Sequence, residues 1–375
     1  MTGPSPTLLM TPGPTRVPER VLRAGARPMV HHRSREFLDE FAELLHLIGP
    51  VFGSREVALP VSTTGRGAME ATICNLCSPG DEMVVCANGR FGELWARIAE
   101  TYGLVVHRVA TDWARDIEPG EVEAALDRYP GSRVVAMTFT DTSTGVANDV
   151  ARICRIARAR GALTFVDGVS AIGGMPFLFD DWEVDAALTA SQKCLMSAPG
   201  LSFVVLSARA TATAATATLP RSYWDLREIR EHAVKARPDT AGTPPVHVVL
   251  QVVEALRAMH EEGLDHVYAR HDAMGRSART GVSALGLTLQ CQGFERFAAT
   301  LTAVATPPGV APEDLRRALE ARGVIVAEAL GPFAPSAFRI GHMGDIRPED
   351  LGRTFEALSE VLVDRAPATR VPRGR

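Results

Sequence analysis

Ser191-Gln192-Lys193-Cys194-Leu195 follows an apolar run, residues 184–190, that reads as a strand opening into a loop. An unpaired ammonium at the end of a buried strand is costly to desolvate. A neutral amine avoids that cost, and a desolvated lysine of lowered pKa is the nucleophile that forms Schiff bases. A second apolar run, Leu163-Thr164-Phe165-Val166-Asp167, ends in an acid. An acid ending one strand and a lysine ending a later one suit pyridoxal 5'-phosphate (PLP). The acid would keep the ring nitrogen protonated and the lysine would carry the aldehyde. A surface lysine and an ordinary strand-end aspartate are the alternative for each residue alone.

Working outward, strand-like and helix-like runs alternate from residue 58 to about 207. Strands are predicted at 82–87, 104–109, 133–138, 163–166, 184–189 and 202–206. Helices are predicted between several of them, at 67–77, 92–101, 121–129 and 149–160. This alternation means a mostly parallel sheet covered on both faces, an α/β fold with ligands at the carboxyl ends of the strands. Before it, residues 1–17 are rich in Pro, Gly and Thr and read as a rigid extended arm. Residues 18–49 carry helical periodicity, interrupted at His31-His32-Arg33-Ser34, where Ser34 reads as a helix cap and the two histidines as polar residues rather than metal ligands. After it come an Ala/Thr-rich stretch at 207–219, a helix at 246–259 and a longer one at 264–285. Strands at 298–305, 324–327 and 337–340 and helices at 312–322 and 348–362 complete a small α+β unit. The expected division is an arm at 1–17, a large domain at 18–262 and a small domain at 263–375, with 366–375 a disordered tail.

A chain of 375 residues is long for one core, which agrees with two domains. A net charge of −4 gives no electrostatic case for nucleic acid or an anionic membrane. No apolar stretch reaches the roughly 20 residues of a membrane span, and the start lacks the basic-then-apolar pattern of a signal peptide. The six cysteines are scattered through apolar segments, as expected of reduced thiols in a cytoplasmic protein. Cys74-x-x-Cys77 has no second pair and reads as helix packing.

Four further stretches carry chemistry. Ser62-Thr63-Thr64-Gly65-Arg66-Gly67 precedes a helix, whose free N–H groups and dipole favour a phosphate, and Arg66 adds a positive charge. Glu70 stands where a dinucleotide fingerprint would hold its third glycine. Asn88-Gly89-Arg90-Phe91-Gly92 sets an aromatic at the end of a strand, able to cover a planar ring or to close the core. Asp141-Thr142-Ser143-Thr144-Gly145 offers short hydroxyls that can bond a ligand or form a turn. Phe338-Arg339-Ile340-Gly341-His342 puts an arginine at a strand end, suited to bidentate grip on a carboxylate or to a surface ion pair.

Taken in order, these stretches, the Thr11-Pro12-Gly13-Pro14-Thr15 arm and Asp167-Gly168-Val169 make the chain resemble the class V aminotransferases, nearest the alanine–glyoxylate and serine–glyoxylate branch. The resemblance runs from residue 11 to 344. It implies a PLP-dependent transferase of fold type I, with a large domain built on a seven-stranded-type sheet and a small α+β domain. It implies that Lys193 forms the Schiff base and shuttles the proton, and that Asp167 pairs with the ring nitrogen. Phe91 and Val169 would flank the ring, and Thr142 would bond its 3-oxygen or a substrate group. Thr64, Gly65, Arg66 and Gln192 would hold the phosphate, joined by Thr243 of a partner subunit. Arg339 and the Gly13 backbone would bind the substrate carboxylate. A homodimer with shared active sites follows, transferring an amino group from an alanine- or serine-like donor to a 2-oxo acid such as glyoxylate or pyruvate. Two departures stand out. No aromatic precedes Thr243 in Thr240-Ala241-Gly242, and Gly168 stands where relatives have Ser. Cysteine desulfurase chemistry is disfavoured, because residues 292–338 contain no Cys. An aminophosphonate transaminase, a PLP-dependent lyase and an inactive structural relative are the other readings.

Overall fold

The computed structural model describes residues 7–110, 112–292 and 296–365. The arm holds a short strand, β1 (Leu8–Met10). Nine strands follow in the first part of the chain: β2 (Ala58–Val61), β3 (Glu82–Ala87), β4 (Val105–Ala110), β5 (Ser132–Thr138), the hairpin β6 (Thr140–Asp141) and β7 (Val146–Ala147), β8 (Leu163–Asp167), β9 (Ala186–Ala190) and β10 (Ser202–Leu206). The last three are β11 (Leu301–Ala305), β12 (Val324–Glu328) and β13 (Ala337–Gly341). The helices are α1 (Glu19–Gly25), α2 (Arg35–Phe52), α3 (Gly65–Leu76), α4 (Arg90–Thr101), α5 (Pro119–Arg128), α6 (Val150–Ala159), α7 (Ala208–Ala214), α8 (Leu226–Ala233), α9 (Val246–Glu262), α10 (Leu264–Ala284), α11 (Pro312–Glu320) and α12 (Pro348–Arg365).

Seven strands form one sheet in the order β2-β10-β9-β8-β5-β3-β4. Only β10 runs against the others, pairing antiparallel with both β9 and β2. Successive side chains of a strand point to opposite faces, so each face has its own core. Val84, Cys86, Val135, Met137 and Val166 meet α2, α5, α6 and α9 on one face. Met83, Val85, Val134, Ala136 and Phe165 meet α3, α4, α7 and α8 on the other. The near-continuous apolar strands of the sequence are those of a sheet covered on both sides. Strand β2 was not predicted, because Pro60 interrupts its pattern. It sits at the sheet edge, where a proline is tolerated. The predicted cap is present: Ser34 Oγ accepts the Phe37 N–H at the start of α2.

A second sheet, in the order β1-β12-β13-β11, packs on α10, α11 and α12. Here the arm is more than extended chain. β1 pairs parallel with β12, Leu8 opposite Val324 and Met10 opposite Val326. The strand predicted from residue 298 begins only at Leu301, after a turn. The predicted tail, 366–375, lies outside the described residues.

Candidate active site

Strands β3, β5, β8 and β9 are mutually parallel, so their carboxyl ends open at one edge of the sheet. Asp167 is the last residue of β8, and Lys193 lies three residues beyond β9. The lysine loop is closed at its base. Ser191 Oγ donates to the Ala198 carbonyl (2.6 Å), and the Ser191 N–H donates to the Leu201 carbonyl (2.9 Å). The arm covers it from outside. The Thr15 N–H donates to the Gln192 carbonyl (3.1 Å), Thr15 Oγ1 donates to the Lys193 carbonyl (3.0 Å), and Lys193 Nζ donates to the Pro12 carbonyl. Gly13 has φ +111, and a Cβ there would run into the Lys193 side chain. Glycine is thus required on both grounds.

Loss of hydration pulls the Lys193 amine down to about 8, assisted by the charge of Arg339 and opposed by that of Asp167. The same burial pushes the Asp167 carboxyl up to about 7, against the hydrogen bond it accepts from the Val169 N–H (2.8 Å). Such a carboxyl is suited to a buried cationic partner. Arg339 sits on β13 with 6% of its surface exposed. Its Nε donates to the Glu328 carbonyl (2.7 Å) and Nη1 to the Thr142 carbonyl (2.8 Å), which fix the guanidinium plane. Burial lowers it to about 10.

The remaining predicted residues divide. Phe91 opens α4, with its N–H bonded to Asp141 Oδ2 (2.9 Å). Thr142 Oγ1 pairs with Ser170 Oγ. Val169 packs against Gly65, where a Cβ would stand 2.7 Å from Val169 Cγ2. Thr64 occupies the N-cap of α3 without bonding the helix, and Arg66 beside it is exposed, so both side chains are open to a ligand at the helix start. Gln192 Oε1 is buried with no partner among the described residues. Thr243 is not with them. It lines a cavity of about 200 Å³ with Ser62, Tyr223 and Trp224. The acid, the amine and the open helix start fit the ring nitrogen, the aldehyde and the phosphate of PLP.

Sequence reading missed Asp141 as a group distinct from its hydroxyl neighbours, and missed Ser170 and the Pro12 and Glu328 carbonyls. Backbone acceptors leave no mark on a sequence. His342 is buried and not free to react: its Nδ1 lies 3.0 Å from the Ala299 carbonyl and its Nε2 2.9 Å from Thr302 Oγ1. The Cys194 thiol is pushed up to about 12 by burial and is a packing residue. Trp113 packs edge-on to Phe333 and against Gly331. Among the described residues no three His, Cys, Asp or Glu are grouped to hold a metal ion, and no helix is long and apolar enough to cross a membrane.

A family model described as aminotransferase class-V matches residues 8–339. The chain is 37% identical over 361 residues to a protein from Synechococcus named as the small subunit of a soluble hydrogenase, covering 95% of this chain and 93% of that one. It is 35% identical over 352 residues to the L-aspartate–glyoxylate aminotransferase of Paracoccus denitrificans, covering 92% and 88%. Among solved structures, the ureidoglycine–glyoxylate aminotransferase of Bacillus subtilis superposes with a TM-score of 0.92 at 29% identity, covering 99% of this chain and 96% of that one. The fold is therefore that of the fold type I transferases, and with the family match spanning both sheets and reaching Arg339, the chain belongs to the class V aminotransferases.

Proposed function

We propose that the protein is a PLP-dependent transaminase that moves an amino group from an alanine- or serine-like donor to a 2-oxo acid such as glyoxylate or pyruvate. The observation that carries this reading is the buried triad of Lys193, Asp167 and Arg339, in which the amine is brought toward neutrality and an acid and a guanidinium are buried beside it. The relatives named above for amino transfer share glyoxylate as acceptor, which supports a small 2-oxo acid.

Asp167 would hold the ring nitrogen protonated, with Phe91 and Val169 on the two ring faces and Thr142 at the 3-oxygen. Thr64, Gly65, Arg66 and Gln192 would take the phosphate at the start of α3. When bound, PLP supplies an electron sink for the substrate Cα. Lys193, with its amine near neutrality, takes the Cα proton. Arg339 and the Gly13 backbone hold the α-carboxylate and so aim that proton at the amine. A homodimer with shared sites is supported by the place of Thr243, in a cavity apart from Lys193 beside Tyr223, which is 72% exposed. Six buried, unpaired cysteines support a reducing, cytoplasmic setting.

Reconstitution with PLP should give a visible absorbance band that Lys193→Ala abolishes together with amino transfer. Mixing the loaded protein with single amino acids under single-turnover conditions ranks the donors, and bleaching without elimination separates transamination from lyase chemistry. A wild-type protein that stays colourless in excess PLP defeats the reading.

A further inference from the structure

One buried acid near the site has no role in the reading above. Asp141 is fully buried, and among the described residues it has no ion-pair partner. Instead it collects donors. Oδ2 accepts the Phe91 N–H (2.9 Å) and the Gly92 N–H (3.2 Å). Oδ1 accepts the Ser143 N–H (2.9 Å) and hydroxyl (2.5 Å). The Ser143 oxygen in turn accepts the Arg90 N–H (3.0 Å).

These bonds answer a need of α4. A helix leaves its first N–H groups without internal partners, and the residue in the N-cap place, Gly89, has no side chain to offer. Asp141 supplies the cap from another segment and meets the positive end of the helix dipole. Gly89 is part of the same fit, since a Cβ there would collide with the Asp141 carboxyl. The next residue reaches the other half of the site: the Thr142 carbonyl accepts from Arg339 Nη1, and Thr142 Oγ1 pairs with Ser170.

We propose that Asp141 is a positioning residue whose carboxylate clamps the Phe91 loop to the turn that holds Arg339, so that one buried group sets both the ring-stacking and the carboxylate-gripping side chains. The roles of Phe91 and Arg339 rest on the proposed function; the clamp does not. A carboxylate is needed because two donors meet each oxygen. An asparagine amide, in either orientation, would point its NH2 at two of those donors. The negative charge of Asp141 also favours the charged forms of Lys193 and Arg339.

The test is Asp141→Asn in the full chain. In the cofactor-free protein, amide exchange of the peptide spanning 88–94 should quicken about tenfold, with peptides from β8 and α6 unchanged. The dissociation constant for PLP should rise roughly tenfold, and KM for the amino acid should rise with it. A folded Asp141→Asn protein with wild-type exchange at 88–94 and wild-type PLP affinity overturns the proposal. So does a uniform rise in exchange over all peptides with PLP affinity unchanged, which would mark a general stabilising role. If Asp141→Asn does not fold, Gly89→Ala displaces the carboxyl while keeping its charge. It should give the same two changes, and wild-type behaviour there is equally fatal. Failure of the wild type to bind PLP would refute the proposed function, while exchange at 88–94 would still decide the clamp.

Discussion

Asp167 and Lys193 show how one environment can prepare two opposite groups. Burial favours the neutral form of each, so the acid rises toward 7 and the amine falls toward 8. This has a measurable consequence for stability. A carboxyl with a folded pKa of about 7, against an ordinary 3.8, binds a proton in the folded state that the unfolded chain has released. Its stabilising contribution is complete below about pH 4 and is lost as the pH rises through 7. Asp167→Asn should therefore flatten the pH dependence of cofactor-free stability between those limits. Urea titrations of the two proteins from pH 4 to 8 measure the difference, and parallel curves would contradict the raised pKa. Both residues were legible in the sequence, because a charged side chain ending an apolar strand is anomalous. Asp141 was not, because an aspartate before Thr-Ser-Thr-Gly is what any polar turn contains. Only the fold brings the Phe91 and Gly92 amides to it.

At the scale of elements, the turn after β13 is held by two histidines that burial keeps neutral. The Gly344 N–H donates to His271 Nε2 (3.0 Å), so His271 Nδ1 carries the proton and donates to the Val267 carbonyl (2.7 Å). His342 Nδ1 likewise donates to a carbonyl, and its Nε2 accepts from Thr302. Their pKa values are lowered to about 4 and about 3. The unfolded chain then binds protons that the folded one refuses, so stability drops as the pH falls from about 6.5, the ordinary histidine value, toward 4. This slope runs against that of Asp167 and involves two groups rather than one. Thermal unfolding across that window should show a smaller acid loss in His271→Gln than in the wild type, and an equal loss would remove His271 from the account. The sequence showed His342 only as a neighbour of Arg339. Its partners come from β11 and the residues just before it, on a segment about 40 residues away in the chain.

For the whole molecule, the parallel sheet was readable because strands buried on both faces are apolar throughout, as at Met83 to Ala87. The edges were harder to read. Strand β2 contains Pro60, and β1 lies in a proline-rich arm, so neither has an uninterrupted pattern. Yet the arm ties the two sheets together, with Leu8 and Met10 of β1 in the core of the small sheet and Pro12 and Thr15 on the lysine loop. Met10 is fully buried, and Met10→Ala should cost about 2–5 kcal/mol. The same substitution should speed PLP release, because it loosens the strap over Lys193. Denaturant unfolding and cofactor washout measure the two effects, and unchanged washout would separate the arm from the lysine loop.

The strap also orders events in time. Arg16 grips Asp350 across 334 positions of sequence, and β1 pairs with a strand near the other end of the described chain. During synthesis, at roughly 5–20 residues per second, the seven-stranded sheet can assemble while these partners are still unmade. The arm can be fastened over the lysine loop only after β12 has been made. Until then the amine lacks the Pro12 carbonyl that covers it in the folded protein, which leaves a free aldehyde a path to Lys193.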